Sequence, residues 1–269
     1  MRLQNKVVVI TGSTRGIGRS IALACAREGA SVVISSRSPE AVLETVSEMK
    51  AQNYAAAGIT CDTTVSGALE GLLRFAISTF GKVDVWINNA GLSSGYRPLD
   101  EMNPEEISQV VATNVTALAV GCSIVIPWMR AHGGGIVINM SGRGGKGEAS
   151  PWTALYAATK AAVTSLTRSL AAENRSSNIS IHAVIPGMVA TDFYKDIATS
   201  PRCSGELDNL PSVLDAFGVP LDAVGEGFVD IAAQEPGNVT GQLYNLLHGK
   251  RLFRGILKMT YARMTHKLK

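Results

Sequence analysis

Tyr156 and Lys160 stand four residues apart in the alanine-rich run ALYAATKAAV, residues 154–163. Positions i and i+4 share one face of a helix, so the phenol and the ammonium would lie close enough to influence each other. A phenol in water gives up its proton only near pH 10. An ammonium one turn away stabilises the phenolate, which makes the phenol a better acid at neutral pH. Such a donor suits carbonyl reduction, where carbon takes a hydride and oxygen takes a proton. A tyrosine and a lysine simply solvated on a helix would show the same spacing, so the pair means chemistry only beside a site for the hydride source.

A candidate for that site is TGSTRGIGRS, residues 11–20. Gly12, Gly16 and Gly18 have a G-x3-G-x-G spacing at a strand-to-helix junction. Glycines there allow a tight turn and let backbone N–H groups approach a pyrophosphate at the positive end of the next helix. Gly12, Ser13, Thr14, Arg15, Gly16, Ile17 and Gly18 are therefore the candidate phosphate cradle. A carboxylate at the end of the second strand would bond the ribose hydroxyls of NAD. Ser35, Ser36, Arg37 and Ser38 stand there instead, with no acid. Arg37 can pair with a 2′-phosphate and Arg15 can reach the same group, as suits a guanidinium fork. NADP(H) is favoured over NAD(H), the alternative being that both arginines are solvated surface charges. Asp62, just past the third strand, could accept a bond from the adenine amine or could cap a helix.

Short β-branched runs alternate with helix-period segments. KVVVIT (6–11), SVVISS (31–36), AAAGITC (55–61), VDVWIN (83–88), GIVINMS (135–141) and ISIHAVI (179–185) read as strands. Nearly continuous apolar strands separated by helices predict an α/β fold with a doubly wound parallel sheet covered on both faces. One domain is expected over 1–247, followed by a tail over 248–269. Residues 193–236 break the rhythm with Pro201, Pro211, Pro220 and Pro236. A long irregular insert is expected there, either a lid over a binding site or a disordered surface loop.

TGSTRGIG, NNAG (88–91), YAATK (156–160) and PGMVAT (186–191) occur in the order and spacing of the short-chain dehydrogenase/reductase family, which the chain resembles over about residues 5–247. The resemblance implies a Rossmann sheet of about seven strands and hydride transfer between a nicotinamide and a carbonyl or alcohol. It implies Tyr156 as the acid and Lys160 as the residue that lowers its pKa and holds the ribose. Asn114 would fix a water in the proton relay. Asn88, Asn89, Ala90 and Gly91 would shape the cofactor cleft, and Pro186, Gly187 and Thr191 would hold the nicotinamide. Homodimers or homotetramers, formed through the helices near 104–131 and 154–175, are also implied.

One position departs from the family pattern. A serine is expected thirteen residues before the tyrosine, where Arg143 stands. Alignment from the fifth strand puts Gly142 at that position instead, with one extra residue in GRGGKGEASPWTAL. Ser141 is the nearest hydroxyl and the candidate to orient the carbonyl, the alternative being that it only caps the strand. WINNAGLSSGYRPLDEM, INMSGRGGKGEASPWTALYAATK and PGMVATDFY are similar to stretches of plant-type chlorophyll b reductases, which reduce a formyl group on a large flat macrocycle with NADPH. A bulky apolar aldehyde or ketone is the implied substrate. Leu92 to Arg97, Trp152 and the 193–236 segment would line its pocket, with Arg97 meeting a substrate carboxylate or pairing with Asp100. General ketoreductases of the 3-oxoacyl or sterol type stay open, as does a non-catalytic NADP(H) sensor.

Composition narrows the remaining classes. A formal net charge of +3 is too mild to imply nucleic acid. Cys25, Cys61, Cys122 and Cys203 are widely spaced, with no zinc-like cluster, and are expected as free thiols in a reducing compartment. MRLQNKVVVITG runs straight into a strand pattern, so no signal peptide and a cytoplasmic protein are expected. The apolar stretch near Val115–Met129 is expected to be too short to span a bilayer. After Glu235 the chain has no acidic residue. Its last segment, HGKRLFRGILKMTYARMTHKLK, forms a basic amphipathic pattern that could lie on an anionic membrane or dock on protein.

Overall fold

The computed structural model describes residues 1–191 and 198–265. The chain runs β1 (Val7–Ile10), α1 (Gly16–Arg27), β2 (Ser31–Ser36), α2 (Pro39–Ala51), β3 (Ala56–Thr60), α3 (Ala68–Phe80), β4 (Val85–Asn88), α4 (Pro104–Val111) and α5 (Ala117–Ala131). It continues through β5 (Gly135–Met140), α6 (Ala154–Glu173), β6 (Ile179–Ile185), α7 (Leu210–Phe217), α8 (Leu221–Ala232), β7 (Leu243–Asn245) and α9 (Gly249–Met264). The seven strands form one sheet in the order β3-β2-β1-β4-β5-β6-β7, with every pairing parallel. This is the doubly wound α/β fold expected from the strand pattern.

Both faces of the sheet are buried, which is why the strands are apolar without alternation. Val8, Ile10, Val32, Ile34, Ile136 and Ile138 pack with α1, α2 and α8. Val9, Val33, Trp86, Val137 and Ile181 pack on the other side with α3, α5 and α6. β1 lies between β2 and β4, so the connections leaving β1 and β4 diverge to opposite faces. A crevice opens at their carboxyl ends, the place where open α/β sheets bind ligands.

Side-chain caps set several helix starts. Ser38 accepts a bond from the Ala41 N–H, and Pro39 begins α2. Asn103 and Glu106 form a reciprocal capping box at the start of α4, with bonds of 2.8 and 3.0 Å. α4 runs through a π-turn at Ala112–Thr116 into α5. The continuous helix Pro104–Ala131 has 28 residues and is long and apolar enough, by length and composition, to cross a membrane. The apolar stretch over residues 115–129 is thus part of a longer helix than the sequence pattern suggests. Its Leu118, Cys122, Val125, Ile126 and Met129 nevertheless pack under the sheet, as in a core helix.

The segment expected to be irregular is mostly helical. Residues 193–197 lie outside the described residues. From 198 onward the chain forms a 3-10 turn at Pro201–Leu207, then α7 and α8. The prolines start helices there. Pro201 begins the 3-10 turn, Pro211 sits in the first turn of α7, and Pro220 is the N-cap of α8. α8 is a layer helix, with Val224, Phe228, Val229 and Ala232 in the core beside α1.

Candidate active site

The loop after β1 owes its shape to its glycines. Gly12 has φ +63°, and a Cβ there would fall 3.1 Å from the Ala90 Cα. A Cβ on Gly18 would lie 2.3 Å from the Gly12 carbonyl oxygen and 2.5 Å from Asn89 Nδ2. The space a side chain would need is taken by the loop's own backbone, which therefore faces the crevice bare. Asn89 fastens the loop from β4, its Nδ2 donating to the Thr11 and Gly12 carbonyls at 2.9 Å each.

The crevice is a cavity of about 800 Å³. Gly12, Thr14, Arg15, Gly16, Ile17, Gly18, Arg37, Asp62, Asn89, Ala90, Gly91, Pro186, Gly187 and Thr191 line it, together with Tyr156 and Lys160. Ser13 does not reach it. Its hydroxyl is fully buried, donates to the Ile10 carbonyl at 2.8 Å and accepts from the Ser35 N–H at 3.0 Å, so it braces β1 against β2. Asn88 is likewise internal. It accepts from Trp86 Nε1 at 2.8 Å and donates to Asn139 Oδ1 at 2.9 Å.

At the outer end of the crevice Arg15 and Arg37 are exposed. Asp62 does not cap a helix, since Gly67 occupies that place for α3. Its carboxylate accepts from the Thr64 hydroxyl at 2.7 Å and the Thr64 N–H at 3.0 Å. Those bonds, with a smaller contribution from Arg37, hold its carboxyl below the usual range.

At the inner end α6 presents Tyr156 and Lys160 on one stripe. The Lys160 Nζ lies 5.4 Å from the centroid of the Tyr156 ring. Lys160 is 3 % exposed, and burial alone pushes its pKa down to about 8. Its Nζ donates to the Met140 carbonyl at 2.9 Å, which ties it to the end of β5. Asn114 sits in the π-turn, a distortion often found at functional sites. It accepts from the Leu92 N–H at 2.8 Å and donates to the Leu92 carbonyl at 2.9 Å and to Thr159 Oγ1 at 3.1 Å. Thr159 Oγ1 in turn donates to the Tyr156 carbonyl at 2.7 Å. Asn114 thus clamps the chain after β4 to the turn of α6 that carries the tyrosine.

Ser141 lines the same cavity as Tyr156 and Lys160, but its hydroxyl is turned to α6. Its buried hydroxyl donates to the Lys160 carbonyl at 3.2 Å and lies 2.9 Å from Thr164 Oγ1, both groups of α6. A Cβ on Gly142, by contrast, would point to within 2.8 Å of the Tyr156 hydroxyl. The position from which a side chain would meet the phenol is therefore Gly142. Ser141 faces the helix backbone because side chains alternate at a strand end, and adding a loop residue cannot turn it round.

Leu92, Ser93, Ser94, Gly95 and Arg97 line the remaining wall. Arg97 bonds Glu106 at 2.7 Å rather than Asp100, which pairs with Arg202 at 2.8 Å. Trp152 is not among the lining residues. It holds a left-handed φ of +66° while its carbonyl accepts from the Arg97 N–H at 2.8 Å. Sequence reasoning missed Glu106, Thr113, Met140 and Ala198, which also line the cavity. No local signal marks them, because tertiary contacts bring them in. The Tyr96 N–H donates to the Ala198 carbonyl at 2.8 Å and the Cys203 thiol donates to the Tyr96 carbonyl at 2.8 Å, across about a hundred residues of sequence.

Comparison with known proteins agrees with this geometry. The family model described as short chain dehydrogenase matches residues 6–201. A probable chloroplastic chlorophyll(ide) b reductase of Oryza sativa subsp. japonica is 38% identical over 204 residues, covering 69% of this chain and 40% of that protein. The chain thus spans less than half the length of that relative. The crystal structure of a single-residue variant of actinorhodin polyketide ketoreductase with NADPH superposes with a TM-score of 0.79 at 28% identity, covering 91% of this chain and 96% of its own. A 3-ketoacyl-(acyl-carrier-protein) reductase from Brucella melitensis complexed with NADH does so with a TM-score of 0.79 at 26% identity, covering 90% and 97%. Matched over most of its length by the family model, and sharing the fold of solved reductases, the chain belongs to the short-chain dehydrogenase family.

Proposed function

We propose that this protein is an NADPH-dependent reductase of a bulky, apolar aldehyde or ketone. The observation that carries the proposal is the Tyr156–Lys160 pair, set at the inner end of a cavity whose outer end holds the bare glycine loop and two arginines. The residues present fit a dinucleotide. The side-chain-free cradle at Gly12 and Gly18 lies beside the N-terminus of α1, which has no acid in its first turn and so favours a pyrophosphate.

A nicotinamide dinucleotide held there supplies hydride to the carbonyl carbon. The Tyr156 hydroxyl gives its proton to the carbonyl oxygen. The Lys160 ammonium favours the phenolate that remains and can turn a free N–H toward the ribose. Asn114 fixes Leu92 and α6 relative to each other, which aligns the phenol with the cavity, and its neighbourhood serves the proton relay. Arg15 and Arg37 recognise the 2′-phosphate, and Asp62 accepts from the adenine. Pro186, Gly187 and Thr191 shape the nicotinamide end. Ser141 supports α6, and the carbonyl is oriented by Tyr156 and by backbone groups of the loop that begins at Gly142.

The likeness to a chlorophyll(ide) b reductase favours a large flat substrate over an acyl thioester. Residues 198–220 act as the cover of the substrate end, over a catalytic domain that ends near 247. Association into dimers or tetramers through α4–α5 and α6 fits the family. The four cysteines, free and buried, suit a reducing compartment such as the cytoplasm. The test is oxidation of NADPH, and of NADH, against a panel of aromatic aldehydes, steroid ketones, 3-oxoacyl thioesters and formyl-bearing macrocycles. Turnover of macrocycles or aromatic aldehydes with NADPH ahead of NADH is expected. Turnover of acyl thioesters alone would sink the substrate assignment, and no turnover of any carbonyl would sink the activity.

A further inference from the structure

α9 packs on α7 along a narrow seam. A Cβ on Gly255 would lie 2.4 Å from the Phe217 ring and 2.6 Å from the Ala216 carbonyl oxygen, so the helices approach almost backbone to backbone. Lys258 Nζ closes the seam with the Asp215 carboxylate at 3.2 Å. Gly255 is buried and Arg251 and Met259 are half-buried, which fixes the docked side of the helix.

The opposite side is apolar and uncovered. At 100° per residue, Leu252, Ile256, Phe253, Leu257 and Tyr261 sweep round the helix away from Gly255. Phe253, Ile256, Leu257 and Tyr261 are each half or more exposed, as is Met264. Single exposed apolar residues are ordinary on protein surfaces, but a contiguous face of this kind marks an interaction site. The same helix carries Lys250, Arg251, Arg254, Lys258 and Arg263 and no carboxylate, and no acidic residue occurs anywhere from 236 to 269. Arg254 is exposed beside Tyr261 and has no ion-pair partner among the described residues.

We infer that α9 is a docking helix for an anionic lipid bilayer, with its apolar face in the headgroup–acyl boundary and its cations on the headgroups. Charge decides the occupant. Two-fold pairing of α9 with a second copy would set one basic helix against another, with no acid on either helix to answer the charge. A surface of anionic headgroups offers the complementary charge to Arg254, which is exposed beside the apolar face. Position adds a consequence for the proposed reductase. α9 starts two residues after Leu247, and a Cβ on Gly187 in the cavity wall would lie 3.2 Å from the Leu247 Cβ. α9 is therefore rooted beside the nicotinamide end of the cavity, where the carbonyl would react, and docking would set that end near a membrane in which an apolar carbonyl compound is dissolved.

Flotation of the full-length chain with phosphatidylcholine vesicles, with and without phosphatidylserine, tests the inference without reference to turnover. Binding to the anionic vesicles is expected, weakening about tenfold or more when salt is raised several-fold. Phe253→Ser combined with Leu257→Ser is expected to weaken it about tenfold or more. Arg254→Gln, which leaves the apolar face and the α7 seam intact, is expected to cost about fivefold. Dinucleotide binding and melting temperature report whether each variant is folded. Absence of flotation, equal flotation on neutral and anionic vesicles, or undiminished flotation of both variants overturns the inference. A native dimer that becomes monomeric in the double variant, with no flotation of either, also overturns it and names a second copy as the occupant. Loss of carbonyl turnover with flotation intact would leave this inference standing and remove the proposed reaction.

Discussion

The two ends of the cavity are built in different ways. At the dinucleotide end, β1, the glycine loop, α1 and β2 are consecutive in sequence, and each feature follows from local backbone demands. Gly18 leaves room for the Gly12 carbonyl, and Ser13 ties the loop to Ser35 in the next strand. At the carbonyl end the wall is assembled from residues 92–97, the loop after β5, and residues from 198 onward. Its ties include Cys203 to Tyr96 and Arg97 to Glu106. A site of this kind couples a locally coded grip on the cofactor to a tertiary wall around the substrate. The wall can change while the grip stays the same.

Lys160→Met tests whether the inner end does chemistry or only packs. Turnover is expected to fall by about a hundredfold or more. In the native protein carbonyl reduction should slow as pH rises through about 8, where Lys160 loses the charge that makes Tyr156 a better acid. That limb should vanish in the variant. Stability gives a second reading. The folded chain holds this ammonium at about 8 against the ordinary 10.5, so below pH 8 its burial is a cost. Without dinucleotide, the variant should be more stable than the native protein at pH 7, by up to about 3 kcal/mol less what the unpaired Met140 carbonyl costs. From about pH 8 toward 10.5 the unfolded chain keeps a proton that the folded chain has released. The native protein then gains stability and the gap closes. A gap that stays constant with pH in denaturant titrations would contradict the burial argument.

Gly18→Ala strikes the dinucleotide end. The added Cβ collides with backbone, and dinucleotide affinity in a fluorescence titration should drop about tenfold to a hundredfold, the equivalent of about 1–3 kcal/mol of overpacking. Arg37→Gln should raise the KM for NADPH about tenfold, the worth of one charge-assisted bond, and leave that for NADH unchanged. Equal effects on both cofactors would remove the 2′-phosphate assignment. Ser141→Ala should change least. A loss of about 1 kcal/mol of stability is expected from its bonds to α6, with kcat preserved. A large fall in kcat would restore Ser141 to the carbonyl.

The same contrast explains what the sequence can show. The glycine loop, the parallel sheet and the Tyr156–Lys160 stripe are legible because each rests on a period or a spacing along the chain. Spacing also assigns Ser13 to the cofactor, although its hydroxyl points inward. It marks the backbone that faces the crevice but does not say which way an individual side chain turns. Proximity in sequence favours Ser141, yet strand alternation turns it toward α6, and Gly142 takes the place facing the phenol. Prolines at 201, 211 and 220 suggest an irregular loop and instead begin helical turns. Glu106 and Ala198 leave no trace because their roles exist only once the chain has closed.

The central claim is that the Tyr156 hydroxyl delivers the proton during hydride transfer. The most direct measurement is the single-turnover rate of carbonyl reduction by Tyr156→Phe with saturating NADPH, alongside the dissociation constant for NADPH. A fall in rate of about 10²–10⁴-fold with an unchanged dissociation constant is predicted. An unchanged rate at full occupancy would contradict the account.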